Sequence, residues 1–380
     1  MTNVLTLILI FQAGAGEFQS GPVRFAVEGP LSEHSVLQAM TPDATPLGYA
    51  QRDGDEYVMF APALKANQKL EVRLSAAEDY PVRVLLNQSD HKIDVTIDKK
   101  PFTTYYYSRD LKKPFFFPVL LDGKYPLTRS YPMVELPNEP HDHHHHTSWW
   151  VAYGEVNESN YWHESDDDAS QQRTVEILEV ISGPVFGKLR ALNSWNGADG
   201  ERDVTEEREY LFYAGDGSDV VTDMKVTFTA DNGDVVFHDT KEGGVCSFRM
   251  NPAIDEKNGN GKMTNSEGQS TAAECWGKPA KWNDYSGTLE GQNLGIAVMD
   301  HPNNLRHPTA WHIREYGLYT ANCFGLASFT DGKENGDYTI KNGDSLTFNY
   351  RVLMHHGNTE EADIEKHYKA YVDAPVVSVK

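Results

Sequence analysis

The chain has 380 residues and a formal net charge of −22, from 34 Lys and Arg against 56 Asp and Glu, with 39% hydrophobic and 11% aromatic residues. That is enough chain for two or three domains with a large core, in a composition that is globular rather than disordered. A field of this sign repels phosphate backbones and anionic lipid, which excludes nucleic acid as a partner, and Cys246, Cys275 and Cys323 are too few and too scattered for a disulfide framework or a thiolate zinc site.

The chain opens MTNVLTLILIFQAGAGEFQS, an apolar run from Val4 to Phe11 followed by Ala13, Gly14 and Ala15. Residues 1–16 read as a secretory signal peptide, which predicts a secreted or periplasmic protein. The competing reading is a buried first strand of the mature fold. No other stretch approaches the roughly 18 apolar residues needed to cross a bilayer, so no membrane insertion of the mature chain is expected. Residues 17–100 contain short runs such as YVMFAPA and KLEVRLSA bounded by Pro, Asp and Gly, which predict a small N-terminal β-domain.

From residue 101 to 380 the runs become longer and richer in aromatics, predicting a larger assembly. DMKVTFTADNGDVVFHDT reads as a hairpin turning at Asp231, Asn232 and Gly233. In GDSLTFNYRVLM, Leu346, Phe348, Tyr350, Val352 and Met354 share one face and Thr347, Asn349 and Arg351 the other, the period of a half-buried strand. The one convincing helix spans about 359–372, with acids in its first turn and Lys366 and Lys369 later. The fold class that follows is all-β, an antiparallel β-sandwich with a small N-terminal β-domain and a short C-terminal helix. Residues 255–269 resemble a calcium loop in composition but lack its alternating ligand positions and read as a long polar surface loop, and Glu164–Asp168 reads as a solvated turn, with the border of a cleft as the alternative because it follows the His-rich segment.

Histidine distribution carries the functional signal. Of 15 His, five lie within residues 141–146, in PHDHHHHTSWWVAYGEVNESNYWHE. On a strand over 141–151, His141, His143 and His145 would point one way and Asp142, His144 and His146 the other. Imidazoles so grouped suit a divalent metal or proton transfer near neutral pH. A second segment, MDHPNNLRHPTAWHIREYGLYTANCFG, sets His301, His307 and His312 beside Asp300, Asn304, Trp311 and Arg314. A third, HDTKEGGVCSFRM, offers His238, Asp239, Lys241 and Glu242 before Gly243 and Gly244. Convergence of the first two segments in one pocket is expected.

The order YPLTRSYP, DHHHHTSWWVAYGEVN with YWHE, DTKEGG, WNDYSG, DHPNNLRHPTAWHIREYGLYTANCFG and GDSLTFNYRVLMHHG, over about residues 100–370, resembles a bacterial family of secreted proteins that carries the label methane oxygenase PmoA. Asp142, His143, His145, His146 and Trp150 match its pattern, whereas Thr147 stands where an Arg is usual and Tyr153 where a His is usual. The resemblance implies a supersandwich similar to those of galactose mutarotases and polysaccharide lyases, and a carbohydrate partner. The label implies a copper or iron centre with an open coordination position.

The expected function is a carbohydrate-active enzyme that cleaves a glycosidic bond by hydrolysis or elimination. His143, His145 and His312 are candidate acids and bases, Glu242 a base, and Lys241 or Arg314 an oxyanion stabiliser. Trp149, Trp150, Trp162 and Trp311, with His163 and Asn304, are candidate sugar-binding residues. Asp142, His143, His145, His146, His301 and His307 are candidate ligands of a divalent metal, and no organic cofactor is expected. The alternatives are a mutarotase or epimerase and a non-catalytic glycan-binding surface protein.

Overall fold

The computed structural model describes residues 6–164 and 170–380, and it is an antiparallel β fold built from three large sheets. The sandwich expected from the strand periodicity is formed by two eight-stranded sheets. The front sheet runs, in spatial order, Trp311–Ile313, Leu318–Ala321, Gly243–Arg249, Trp149–Tyr153, Phe115–Phe116, Lys100–Tyr106, Lys92–Ile97 and Val84–Ser89. The back sheet runs Gln171–Ile181, Phe186–Asn196, Arg202–Tyr213, Val220–Thr229, Ser345–His356, Gln292–Asp300, Trp282–Leu289 and Lys262–Asn265. Alternation along each strand sends one set of apolar side chains between the sheets, where Trp149, Phe116, Phe248 and Tyr319 of the front meet Tyr210, Phe228, Ile296 and Phe348 of the back. Phe348, Tyr350, Val352 and Met354 share that core and Leu346 packs against it, as their spacing predicted.

A third, seven-stranded sheet gathers the strands between Leu7 and Ala76 together with Val376–Val379. It has its own core of Leu9, Phe11, Phe25, Leu37, Met59 and Val72. It meets the outer face of the back sheet through Val58, which packs with Leu211, Tyr213, Val221 and Leu353. The Gln51 side chain fastens that contact: its Nε2 donates to the Phe186 carbonyl at 3.1 Å and its Oε1 accepts the Val185 and Phe186 amides, each at 3.1 Å.

Three expectations change. The strands Val84–Ser89 and Lys92–Ile97, assigned from sequence to the small N-terminal unit ending at residue 100, pair onward with Lys100–Tyr106 in the front sheet. The polar break at Asp98 and Lys99 is a tight hairpin turn, both residues having positive φ (49° and 67°), rather than a boundary. The expected hairpin about Asp231–Gly233 is a crossing: Val220–Thr229 pairs within the back sheet, whereas Val235–Phe237 pairs with Tyr338–Ile340. Periodicity reports a strand's faces and not its neighbours. The helix starts later than expected, at Ile364–Val372, because Asn358 caps the turn at Glu360 and Glu361 and Asp363 is left-handed (φ 50°).

The loop 255–269 uses its acids on its own and the following backbone: Asp255 accepts the Asn258 amide, and Glu256 accepts those of Met263 and Ala272. Of the acidic run Glu164–Asp168, only Glu164 lies among the described residues.

The apolar run at the N-terminus forms the strand Leu7–Gln12, hydrogen-bonded on one side to Lys69–Ala76 and on the other to Val376–Val379. Burial of Leu9 and Phe11 there contributes about 3–6 kcal/mol. Deletion of residues 1–16 is therefore expected to lower the melting temperature; an unchanged transition would assign the run to a leader outside the folded protein.

Asp284 and His355 form a fully buried ion pair, Oδ1 to Nε2 at 2.9 Å, and Asp284 also accepts Thr359 Oγ1 at 2.5 Å and Ser286 Oγ at 3.1 Å. Burial opposes the His355 charge, but Asp284 outweighs it and raises the pKa. The stability this pair supplies is thus complete below the unfolded pKa of about 6.5 and is lost as pH rises through the higher folded value. Asp284→Ala is expected to cost about 3–5 kcal/mol in denaturant unfolding at pH 6, because it strands a buried imidazolium, and to flatten the decline with pH.

Candidate functional site

The site is built on the outer face of the front sheet. Along Gly243–Arg249, Cys246 and Phe248 face the sandwich core while Ser247 and Arg249 face outward; along Trp149–Tyr153, Trp150 and Ala152 face outward; and His312 faces outward between Trp311 and Ile313. Trp150 and Ala152 join Phe115, Trp162 and Leu318 in a small apolar cluster, which is the floor on which the polar residues sit. Gly244 is required here, since a Cβ would run into Thr320 and the Ala321 carbonyl on the neighbouring strand.

The His-rich segment roofs this face as a loop. Strand geometry begins only at Trp149, and His143 (φ 45°) and Ser148 (φ 73°) are left-handed, so the expected alternation of His side chains does not occur. The cause is Arg129. Its buried guanidinium donates to the carbonyls of Pro140 (3.2 Å) and His143 (3.0 Å) and to Asp142 Oδ1 (2.6 Å), so the loop wraps around it. Asp142 Oδ1 also accepts Arg249 Nη2 at 2.7 Å. The loop brings His143, His145 and His146 ring to ring, with centroids 4.5–5.8 Å apart. His163 packs against His145 at 4.8 Å, Tyr316 stacks on His143 at 4.9 Å, and Arg249 lies 4.5 Å over Tyr316. His144 turns aside to the Glu164 carbonyl (2.6 Å), and exposed His141 stacks on Tyr131. A cleft of about 650 Å³ opens beside them, lined by His143, His144, His145, Glu158, Asn160, His163 and Glu164.

The second and third segments split. His312 and Arg314 join the site, as do Lys241 and Glu242, which form an ion pair. His307 instead bonds Asp300 at 2.7 Å, Asn304 bonds Asp300 and the Asn349 carbonyl, each at 2.7 Å, and His301 packs against Tyr371, all at the end of a back-sheet strand. His238 is exposed near Asp337, and Asp239 caps Ala327 and Gly336.

The electrostatics hold His143, His145, His146, His163 and His312 neutral, and burial lowers each of these five. Lys113 and His163 help take His145 to about 2, Arg314 and Lys241 take His312 to about 3, and Lys241 and Lys113 lower His163. For His143, burial outweighs the help of Asp142. The carboxylates are committed: against its own burial, Asp142 is drawn to about 2 by Arg249 and Arg129, Glu164 pairs with buried Lys113, and Glu242 pairs with Lys241.

The expected metal does not suit this donor set. A guanidinium nitrogen of Arg249 stands 3.0 Å from His146 Nδ1, Asp142 is shared by two arginines, and His301 and His307 are elsewhere. Among the described residues no three His, Cys, Asp or Glu side chains are arranged to hold a metal ion. The tryptophans expected to stack on sugar are also placed differently. Trp149, Trp150, Trp162 and Trp311 are 0–1% exposed and leave no ring face open, since Trp149 and Trp311 fill the sandwich core and Trp150 and Trp162 the floor. Half-buried Trp276, with the Arg314 guanidinium 3.9 Å over its ring, is the tryptophan beside the site.

Residues 92–369 match the family described as "Family of unknown function (DUF6807)". The chain belongs to the DUF6807 family. The matched span covers the dispersed motifs from which a family resemblance was read, and the family brings no activity with it. No curated protein sequence matches the chain. Among solved structures, a protein of glycosyl hydrolase family 38 from Enterococcus faecalis is similar over 99% of this chain and 47% of its own, at 6% identity and a TM-score of 0.44. An α-mannosidase from the same organism is similar over 99% and 46%, at 7% identity and a TM-score of 0.42. A β-arabinopyranosidase is similar over 67% and 38%, at 13% identity and a TM-score of 0.34. The DUF6807 chain thus spans about half the length of the first two, and likeness at this level assigns no activity. Among its described residues no helix is long and apolar enough to cross a membrane.

Sequence reading missed Arg129, Arg249, Lys113, Tyr316 and Trp276. Arg249 was the most accessible, as a lone cation on the outward phase of the strand VCSFRM. Asp142→Asn is expected to cost about 1–2 kcal/mol in thermal or denaturant unfolding, below the value for a fully buried pair because Asp142 is 37% exposed. Its folded pKa is depressed, so the stabilisation is present above about pH 4 and is lost as pH falls toward 2; the variant should show a shallower acid loss than the parent.

Proposed function

We propose that the protein is a carbohydrate-active enzyme whose proton transfers are carried by neutral imidazoles, acting by elimination or isomerisation rather than by two-carboxylate hydrolysis. One observation carries the reading: His143, His145 and His163 share an open cleft in the neutral state, while Asp142, Glu164 and Glu242 are each tied to a cation. Hydrolysis ordinarily needs two carboxyl groups flanking the scissile bond, one protonated and one ionised. Among the described residues, Glu158 at the exposed rim has no ion-pair partner and the cleft lining holds no second free carboxylate. The carbohydrate class rests on the sequence resemblance and on a cleft lined with hydrogen-bonding side chains.

The chemistry follows from His143. Its Nδ1 lies 3.3 Å from Asp142 Oδ1, so with the proton on Nδ1 the carboxylate orients the ring and leaves the Nε2 lone pair free. That nitrogen takes a proton from a sugar carbon activated by a neighbouring carbonyl or carboxyl group, and the released pair forms a carbon–carbon double bond as the glycosidic oxygen leaves. His163, once protonated, supplies the proton to the departing oxygen. In isomerisation the proton returns to carbon and no bond to oxygen breaks. In this reading Lys241, whose charge lowers His163, stabilises the enolate oxygen.

The test is incubation with a panel of glycans and 3-keto-glycosides, with and without chelator, following ultraviolet absorbance of unsaturated products, sugar isomers and reducing ends. Unsaturated or isomerised product, insensitive to chelator, is the expected result. Reducing ends without unsaturation would replace the proposal by hydrolysis, and no turnover with unchanged sugar binding in a His143→Ala, His145→Ala variant would favour a binding protein. His143→Ala alone is expected to lower kcat/KM about 10²–10⁴-fold. Because burial lowers the imidazole pKa values, the acid limb of kcat/KM should fall below pH 6.5, where ordinary His titrates.

A further inference from the structure

Beside His312, outside the lining of the cleft, lies a charge pattern centred on Arg314, which the proton-transfer chemistry does not use. Arg314 lies with its guanidinium 3.9 Å over the face of Trp276, and among the described residues that guanidinium has neither a hydrogen-bond acceptor nor an ion-pair partner. The ring of Trp276 meets the imidazole of His312 edge-on at 4.9 Å, and His312 is buried with no side-chain acceptor or donor. Lys241 completes the group from the turn before Gly243. That turn is fixed by the Asn322 amide, which donates to the carbonyls of Thr240 (3.0 Å) and Lys241 (3.2 Å), and by the Gly154 amide, which donates to the Glu242 carbonyl at 2.7 Å. Lys241 and Arg314 repel each other, and together with burial they depress His312.

Lys241 keeps Glu242 as its partner, so among the described residues Arg314 is the cation of this group without a counter-ion, and a guanidinium left so is completed by a ligand rich in acceptors and negative charge. The planar, stacked guanidinium is preorganised to meet a planar oxyanion with two parallel hydrogen bonds.

We propose that Lys241 and Arg314, backed by Trp276, form a subsite for an anionic group of the substrate, which makes the substrate an acidic sugar carrying a carboxylate or a sulfate ester. The inference rests on the carbohydrate reading above and adds the substrate's charge to it. A carboxylate held there is also the group that would acidify the adjacent carbon for abstraction by His143.

Binding of the full chain is measured with hexuronate oligosaccharides, with the same oligosaccharides after carboxyl reduction, and with sulfated neutral oligosaccharides, each at low and high salt. The expected result is at least tenfold tighter binding of one acidic set over the reduced one, a preference that salt weakens and that Arg314→Gln and Lys241→Gln each diminish. The acidic set that binds identifies the anion as carboxylate or sulfate. Equal binding of acidic and reduced sugars, no binding of any acidic sugar, or an unchanged preference in both folded variants overturns the subsite. The salt series on the parent chain decides the matter should the variants not fold. Turnover of neutral glycans without acidic preference would remove this inference and leave the enzymatic reading, whereas acidic preference without turnover would do the reverse.

Discussion

The site depends on one carboxylate shared by two buried guanidiniums. Arg129 belongs to the segment preceding the His-rich loop and Arg249 to the front sheet, and Asp142 binds both. Two buried arginines without a counter-ion would be prohibitively costly, so the loop is held wherever Asp142 can reach them. The carbonyls of Pro140 and His143 then fall on Arg129, His146 falls beside Arg249, and the rings of residues 143, 145 and 146 are packed together. The left-handed backbone at His143 and Ser148 is the conformational cost of this closure.

This anchoring has a chemical consequence. Since the acid of the His-rich motif neutralises structural arginines, it does not provide a free carboxylate for catalysis; and since the arginines sit beside the rings, they oppose protonation and discourage a divalent cation. Under the proposed mechanism, the same interaction that shapes the loop leaves proton transfer to the imidazoles. Lys113 and Glu164 repeat the arrangement on the other side, where a buried ammonium paired to a rim carboxylate helps keep His145 neutral.

How much was legible in the sequence follows from which forces act locally. The strand Ser345–His356 was read to the correct face because its period reflects burial on one side of a sheet. The site's two main segments were found because His, Asp and Trp cluster there. What failed was everything set by long-range pairing. Residues 301, 304 and 307 lie within 11 positions of His312 yet belong to a different sheet edge, because the chain crosses from the back sheet to the front between them. A tryptophan's composition says that it buries a large ring and not which side of the sheet receives it: Trp149 and Trp150 are adjacent and face opposite layers. Arg129 and Arg249 were invisible as a pair because 120 residues separate them.

The opening charge imbalance acquires a different meaning at the site. Over the whole chain the excess acid repels anions, but on the outer face of the front sheet Arg249, Lys241, Arg314 and Lys113 gather around five lowered imidazoles. Cations and imidazoles in one cluster are coupled: an anion that docks between Lys241 and Arg314 cancels part of the field that keeps His312 and His163 neutral, so their pKa values must rise. By linkage, binding that raises a pKa takes up protons, and the same coupling makes binding tighter as pH falls. An acidic substrate therefore brings with its charge the means to load a proton onto an imidazole, and elimination needs such a proton at the leaving oxygen while a second imidazole, on Asp142, stays free to act as base.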